Sequence, residues 1–354
     1  MRPTDADALK TRVLGCLLGT AVGDATGLNR EGLSPRRASR LFGDNITGPD
    51  LLFGRGLCSD DTEHTAMVAR ALAISAGCPD DFERVFARQL KVWLLTVPAG
   101  VGLATLRGCL KLLIGFPPSK SGVYRAGNGP AMRSALLGLY ANSDDSLREL
   151  IRRATRPTHT DPRAEEGAYV VAKAAASGIS DHDSAREFVA GLVAETSGDE
   201  LRDLLDATVR SLEAGSPPAE FVRQRGWSRG VSGYVNQTVP TAMHCWAASP
   251  DDYVTAVTSA VSLGGDTDTV AAIVGGIVGA NLGSTAIPTE WTARLAEWPR
   301  NVVWTERLAD AVVTSREGTP TQPPPMQWAA TLPRNAIFAG VVLALGFRRL
   351  LPPY

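Results

Sequence analysis

The sequence predicts an all-α protein, a single compact globule built from many helices. Apolar residues recur at three- and four-residue spacing over long stretches, the pattern of helices that bury one face. Polar loops such as ANSDDS and EAGSPPAE separate these stretches, and no alternating segment bounded by turn dipeptides indicates a strand. From ordinary helix and loop lengths we expect roughly ten or more helices. The clearest lie at 62–76, 82–96, 129–140, 163–177, 184–195, 200–214 and 251–261.

The composition excludes several classes of protein. The 354 residues carry a net charge of −1, with 44% hydrophobic and 21% charged residues. This balance allows a large core and gives no general electrostatic basis for nucleic-acid binding. Asp5, Asp7 and Lys10 interrupt the first apolar run, so we identify no signal peptide and expect a cytoplasmic protein. The five cysteines are scattered without CxxC spacing, which argues against a disulfide framework or a zinc site.

A proline-rich stretch near the C-terminus marks a boundary. We predict one domain over 1–315, a linker over 316–326 and an apolar tail over 327–354. The uncharged part of the tail, 336–347, is shorter than the about 20 residues that cross a bilayer. We therefore expect the tail to dock onto the globule as a helix or to close an oligomer contact. The alternative is a shallow membrane-surface anchor, with Arg348 and Arg349 at the headgroups.

Two acidic doublets stand where helices are predicted to begin. Asp60 and Asp61 lie in SDDT, and Asp266 and Asp268 lie in GDTDT. Each doublet alone has a simple explanation as a helix cap, and Asp60 with Glu63 has the spacing of a capping box. Brought together, the four carboxylates would repel one another unless a cation intervened. Oxygen ligands favour Mg²⁺, with Mn²⁺ as the alternative, and four carboxylates suffice for two ions.

The run VAAIVGGIVGA, which follows the second doublet, consists largely of alanine, glycine and valine. Small side chains let a helix approach its neighbours closely, although glycine lowers helix stability. We expect this close packing to hold the carboxylates rigidly, as a preorganised metal site requires.

Three further segments carry polar groups whose roles the local pattern leaves open. Gly127, Asn128 and Gly129 precede a predicted helix, where backbone N–H groups can bind an anion or simply form a loop. His159 stands in a polar loop, which is typical of an exposed or capping histidine, and Glu31 stands in a loop where a solvated carboxylate is the ordinary interpretation.

Together these segments resemble the ADP-ribosylglycohydrolase family. Five match its motifs in the same order: GCLLGTAVGDATGL followed by Glu31, SDDTEHT, GNGPAMRSA, THTDPRAEEGA and SLGGDTDTVAAIVGGIVGA. A sixth, SGYVNQTVPTAMHCWA, is similar to a family segment. The resemblance implies an all-α fold with a cleft that holds two Mg²⁺ or Mn²⁺ ions.

The resemblance also implies roles for individual residues. The expected metal ligands are Ser59, Asp60, Asp61, Asp266, Asp268 and Thr269. The family usually has threonine where this chain has Ser59, so the hydroxyl is kept. Glu31 corresponds to the glutamate of a mobile flap, and with Asp61 and Asp268 it forms the expected catalytic set. The expected substrate-binding residues are Gly127, Asn128, Gly129, His159 and Tyr234.

The function that follows is a metal-dependent hydrolase of ADP-ribose linkages. Its substrate would be an ADP-ribosylated arginine or serine of a protein, or another ADP-ribosylated molecule, and its product ADP-ribose. Two alternatives stay open from the residues: a metal-dependent phosphohydrolase of a free nucleotide, which would release AMP, and a non-catalytic ADP-ribose-binding or immunity protein, which would bind without turnover.

Overall fold

Helices account for nearly all the regular structure of the chain. In the computed structural model, the described residues, 5–352, contain nineteen α-helices and no β-sheet. The 3-10 turns Leu28–Arg30 and Ser284–Ala286 follow α1 and α16. The helices are α1 Asp5–Gly27, α2 Pro35–Phe42, α3 Asp60–Ser75, α4 Pro79–Leu95, α5 Leu103–Leu113, α6 Pro118–Ser121, α7 Gly129–Met132, α8 Ala135–Tyr140, α9 Asp144–Thr155, α10 Pro162–Ala176, α11 His182–Glu195, α12 Asp199–Glu213, α13 Pro218–Gln224, α14 Val235–Ala248, α15 Tyr253–Ser262, α16 Thr267–Leu282, α17 Thr289–Ala293, α18 Val302–Ser315 and α19 Trp328–Arg349.

The predicted all-α class is confirmed, and the predicted helices are largely in place. Six of the seven clearest segments match observed helices to within three residues at each end. The exception is 129–140, which is split into α7 and α8 at Arg133. The buried Arg133 guanidinium donates to the Ala154 carbonyl at 2.9 Å and to Thr158 Oγ1 at 2.7 Å. The break in the helix therefore coincides with a charged side chain directed into the interior.

The central pair of the fold is formed by α1 and α16, which run antiparallel. Four glycines at four-residue spacing line the contacting face of α1: Gly15, Gly19, Gly23 and Gly27. A Cβ atom on any of them would overlap backbone atoms of α16 or of the turn after it. All residues of α16 from Thr267 to Ala280 are buried, so the small-residue run packs closely, as the sequence predicts. The last turn of α1 consequently lies beside the first turn of α16.

The C-terminal segment lies against the globule. Between α18 and α19 the chain has no regular secondary structure, and its Thr321 N–H donates to the Ala73 carbonyl at 2.9 Å. Trp304 Nε1 donates to the Pro325 carbonyl at 2.9 Å. The tail docks as a helix, which is one of the two arrangements predicted for it.

One face of α19 is buried and the other is apolar and exposed. The buried residues are Thr331, Arg334, Asn335 and Phe338. Ile337, Leu343 and Phe347 are 62%, 63% and 69% exposed. By length and composition α19 could cross a membrane, and within residues 5–352 no other helix could. Of its most apolar 18-residue window, 22% is buried.

Candidate metal centre and substrate cleft

The first acidic doublet stands at the start of α3. Ser59 occupies the N-cap position, where its hydroxyl accepts from the Asp61 N–H at 3.3 Å and donates to Asp61 Oδ2 at 2.9 Å. Asp60 is the first residue of the helix and is half-buried, whereas Asp61 is only 1% exposed. Ser59 thus caps the helix, and the two aspartates are left for other partners.

The capping box that the spacing of Asp60 and Glu63 allows is not formed. Glu63 is buried, accepts from Trp93 Nε1 at 2.6 Å and forms an ion pair with Arg300. Because this carboxylate is held by the core, it does not reach back to the start of α3. The sequence spacing alone could not reveal that competition, since Arg300 lies far along the chain.

The second doublet opens α16. Asp266 is at the N-cap position, but its carboxylate makes no capping hydrogen bond; instead its Oδ2 accepts from Asn128 Nδ2 at 2.7 Å. Asp268 is 5% exposed, in the first turn. The Thr269 hydroxyl donates to Asp61 Oδ2 at 3.2 Å, which joins the start of α16 to that of α3. The two doublets therefore meet, as the metal-site hypothesis requires.

A fifth carboxylate, Asp24 of α1, completes the cluster and was missed in the sequence. It is fully buried and accepts from the Ser59 N–H at 2.9 Å, the Thr62 N–H at 3.2 Å and the Thr62 hydroxyl at 2.5 Å. Asp24 thereby satisfies the free N–H groups at the start of α3 from another helix. The available signal was a lone acid inside the otherwise small and apolar run GTAVGDATG.

Burial and mutual repulsion dominate the electrostatics of the cluster. Burial raises the pKa of Asp24 to about 7, and burial with the nearby Asp24 charge raises the pKa of Asp60 to about 8. The pKa values of Asp61 and Asp268 lie well above the ordinary range, for burial first and neighbouring carboxylates second. Among residues 5–352 no lysine or arginine forms an ion pair with these four acids. The cluster therefore favours either protons or a bound cation.

The donor set suits a hard divalent cation. Oxygens of Asp24, Asp61 and Asp268 are buried and lie within 4.8 Å of one another, a spacing typical of the surroundings of a metal ion. Within the described chain, Asp61 Oδ1 and Asp268 Oδ1 are buried and have no hydrogen-bond partner. A buried carboxylate oxygen left unpaired is costly, and a cation would satisfy both. Since both oxygens of Asp24 already accept hydrogen bonds, we assign it to holding α3 in place rather than to ligation.

The cluster forms one wall of a cleft of about 1020 Å³. The wall presents Asp60, Asp266, Asp268 and Thr269, with Glu31 at the rim. The rest of the lining includes all five residues that the sequence assigns to substrate: Gly127, Asn128, Gly129, His159 and Tyr234. Ser59 and Asp61 lie buried behind this surface. The tertiary structure thus collects every predicted site residue around one cavity.

His159 is buried, in contrast to the exposed or capping histidine expected from its loop. Its Nδ1 lies 2.9 Å from Thr158 Oγ1. Burial and the charge of Arg133 lower the pKa of His159 to about 3, so the ring is neutral. A Cβ on Gly127 would lie 2.8 Å from His159 Nε2, and one on Gly129 would lie 3.0 Å from Cε1. The two glycines therefore make room for the imidazole.

The backbone of this turn is less available to an anion than the pattern suggests. The Asn128 N–H donates to the Gly233 carbonyl at 3.0 Å, and the Val235 N–H donates to the Ala126 carbonyl at 3.0 Å. These bonds tie the turn to the segment that enters α14. Tyr234 stands there, half-buried, with its hydroxyl bonded to Glu200 and to Arg163.

Glu31 lies in the loop between α1 and α2, with its side chain exposed at the mouth of the cleft. Partial removal from water and the charge of Asp266 raise the pKa of the Glu31 carboxyl. The loop is joined to the start of α16, because the Gly32 N–H donates to the Gly265 carbonyl at 2.7 Å. A carboxyl with a raised pKa at this position can hold or transfer a proton near a bound substrate.

Comparisons with known proteins agree on one family. The sequence model of the family described as ADP-ribosylglycohydrolase matches residues 5–322. An uncharacterized protein of Archaeoglobus fulgidus is 30% identical over 82% of this chain and 93% of its own. The ADP-ribosyl-(dinitrogen reductase) glycohydrolase of Rhodospirillum rubrum is 26% identical over 80% of this chain and 90% of its own. ADP-ribosylhydrolase ARH3 of Homo sapiens is 26% identical over 79% and 88%, respectively.

The solved structures give the same result. A chain described as an ADP-ribosylglycohydrolase-related protein complex superposes with a TM-score of 0.59 at 27% identity. The match covers 87% of this chain and 99% of that one.

Proposed function

The chain belongs to the ADP-ribosylglycohydrolase family of hydrolases, and we propose that it cleaves the glycosidic bond between ADP-ribose and an acceptor with two Mg²⁺ ions held in its acidic cleft. The observation that carries this proposal is the pair of buried, unpartnered oxygens on Asp61 and Asp268 at the meeting point of α3 and α16. Mn²⁺ is the alternative ion, and the acceptor is an arginine or serine of a modified protein or another ADP-ribosylated molecule.

Two groups of side chains would hold the ions. The first group lies at the start of α3 and consists of Ser59, Asp60 and Asp61. The second group lies at the start of α16 and consists of Asp266, Asp268 and Thr269. When bound, the ions would orient the ribose hydroxyls, lower the pKa of a water molecule and offset the negative charge of the cluster. The hydroxyls of Ser59 and Thr269 both donate to Asp61, which leaves at least one lone pair on each for ligation, since Ser59 Oγ also accepts from the Asp61 N–H.

The other residues of the cleft bind and orient the substrate. Glu31 covers the mouth and exchanges the proton needed to activate water or release the acceptor, because its carboxyl has a raised pKa. The neutral His159 ring and Tyr234 form the wall against which the nucleotide part packs. Arg125 and Arg229 line the cleft and supply positive charge for the diphosphate.

Substitution of a proposed ligand tests the assignment. In Asp268→Asn we expect release of ADP-ribose in Mg²⁺ to fall at least about a hundredfold, because a neutral amide is a much weaker ligand. The matched control is Asp252→Asn, at the exposed N-cap of α15, where asparagine caps as well as aspartate. Equal activity of Asp268→Asn and wild type would contradict the metal assignment.

The product distinguishes the proposal from the two alternatives. Incubation with ADP-ribosylated arginine, ADP-ribosylated serine and a small-molecule adduct, in Mg²⁺ and in Mn²⁺, should release ADP-ribose from at least one of them. Release of AMP from a free nucleotide would instead identify a phosphohydrolase. Tight ADP-ribose binding with no turnover across the panel would identify a non-catalytic binding protein.

A further inference from the structure

The C-terminal helix packs against the segment that carries Glu31. Phe338 of α19 forms a small buried cluster with Leu28 and Leu51, and Val341 and Leu345 pack against its edge. Leu28 begins the 3-10 turn that leads directly to Glu31. The family match ends at residue 322, so α19 lies beyond the matched region. An element outside the family match thus lies next to the mouth of the cleft.

The last residue of α19 is bonded to the Glu31 loop itself. The Arg349 guanidinium donates to the Glu31 carbonyl at 2.8 Å and to the Asn29 carbonyl at 3.0 Å. The carbonyl of Arg349 in turn accepts from the Arg37 guanidinium in α2, on the other side of the loop. An arginine fork suits this arrangement, because it offers several fixed donors from one charged group.

The loop is therefore held from two directions. On the inner side, the Gly32 N–H donates to the Gly265 carbonyl at 2.7 Å and the Gly265 N–H donates to the Leu33 carbonyl at 2.8 Å. On the outer side, Arg349 holds two carbonyls of the turn, those of Asn29 and Glu31. The Arg349 cation also lies close enough to the Glu31 and Asp268 carboxylates to interact with both.

We propose that Arg349 is a positioning residue: from the end of α19 it fixes the Glu31 loop over the acidic wall, so that docking of the C-terminal helix sets how closed the cleft is. The catalytic consequence rests on the proposed role of Glu31, whereas the restraint on the loop does not. Loss of the two charge-assisted bonds would release the Glu31 carbonyl, while the backbone bonds to Gly265 and the bond from the Asn29 amide to the Asp50 carbonyl would remain. Glu31 would then spend less time over the substrate.

The experiment compares Arg349→Ala, Arg349→Lys and Arg348→Ala in the full-length protein. Arg348 is the matched control, because it is the neighbouring arginine of the same helix, is exposed and donates to the Pro352 carbonyl at 3.0 Å. Hydrogen exchange is measured with and without Mg²⁺ at the amides of Glu31, Gly32 and Leu33, all of which donate hydrogen bonds within or from the loop. Hydrolysis of an ADP-ribosylated substrate is measured in parallel.

In Arg349→Ala we expect these amides to exchange about tenfold faster and kcat to fall about tenfold, with exchange in α11 unchanged. Arg349→Lys should recover part of both effects, since an ammonium can replace one of the two bonds. Arg348→Ala should match wild type. Loop exchange in Arg349→Ala equal to that in Arg348→Ala would overturn the inference. Absence of hydrolysis by the wild type would refute the proposed function, and the exchange data would still decide the role of Arg349.

Discussion

Capping does not account for the aspartates that open α3 and α16. Ser59 caps α3, and Asp266 makes no capping hydrogen bond although it occupies the N-cap position. The sequence favours capping for each doublet alone, because local spacing cannot show where the hydroxyl of Ser59 or the amide of Asn128 is directed. What decides between the two interpretations is the close approach of Asp61 and Asp268, which leaves an unpartnered buried oxygen on each.

The single residue His244, which lies away from the cleft, provides a test of how the free energy of unfolding depends on pH. It is fully buried in α14, its Nε2 lies 2.9 Å from Ser211 Oγ, and burial lowers its pKa to about 4. The unfolded chain, with an ordinary pKa of about 6.5, binds the proton first, so stability falls as the pH drops below that value. The loss is at most about 1.4 kcal/mol per pH unit for this group.

Comparison of the wild type with a variant that lacks this histidine isolates the contribution of His244. In His244→Gln the loss of unfolding free energy between pH 7 and pH 5 should be about 2 kcal/mol smaller than in wild type. Urea unfolding of both proteins at the two pH values measures it. His64 and His159 also titrate below their ordinary pKa, so part of the wild-type slope should persist. Identical slopes in the two proteins would show that His244 is not held neutral.

Among the helices, α1 and α16 are the pair whose packing brings the acidic side chains of the candidate metal site together. The sequence shows the small-residue run of α16 but does not show which helix packs against it. The four glycines at every fourth position of α1 indicate a close contact, but only the structure identifies α16 as the helix they contact. This pairing sets Asp24 beside Asp268 and, through the hydrogen bonds of Asp24, positions the start of α3.

Replacement of a glycine in this contact tests its importance. In Gly23→Ala the Cβ would overlap the backbone of α16 at Ala271, and we expect a loss of about 3 kcal/mol of unfolding free energy together with weaker Mg²⁺ binding. Gly191→Ala is the control, because α11 is exposed there and a Cβ would meet nothing within 4 Å. That change should stabilise the protein by about 0.5–1 kcal/mol. Similar effects of the two substitutions would refute the close-packing argument.

For the whole molecule, the main electrostatic feature is a largely buried cluster of acidic side chains in a protein of nearly neutral net charge. The formal charge is −1, yet five carboxylates and Glu31 are gathered at one cleft. A cation that binds only the folded state removes this repulsion and shifts the folding equilibrium by mass action.

Thermal unfolding should show this linkage. Mg²⁺ at about a hundredfold above its Kd should stabilise the native state by about 2.7 kcal/mol and raise Tm by a few degrees. Asp268→Asn should lose most of the rise, and Asp252→Asn should keep it. Scanning calorimetry with Mg²⁺, with Mn²⁺ and with chelator measures the effect. A Tm of the wild type that is indifferent to both ions would contradict the metal centre.

By itself the sequence determined the helical class, most helix positions and the residue types of the site. Periodicity, the two acidic doublets and the order of the motifs are local or linear features, and the family match bears out the resemblance built on them. The split at Arg133 and the failed capping box were decided by buried partners distant in the chain, Thr158 and Arg300.

Only the tertiary structure decided how the site is assembled and held. Asp24 joins the acidic cluster, and Arg349 reaches the Glu31 loop, because helices distant in sequence pack side by side. The physical reason is that hydrogen bonds and charge repulsion depend on separations of a few ångströms between side chains. No spacing along the chain records such separations when the two residues lie on different helices.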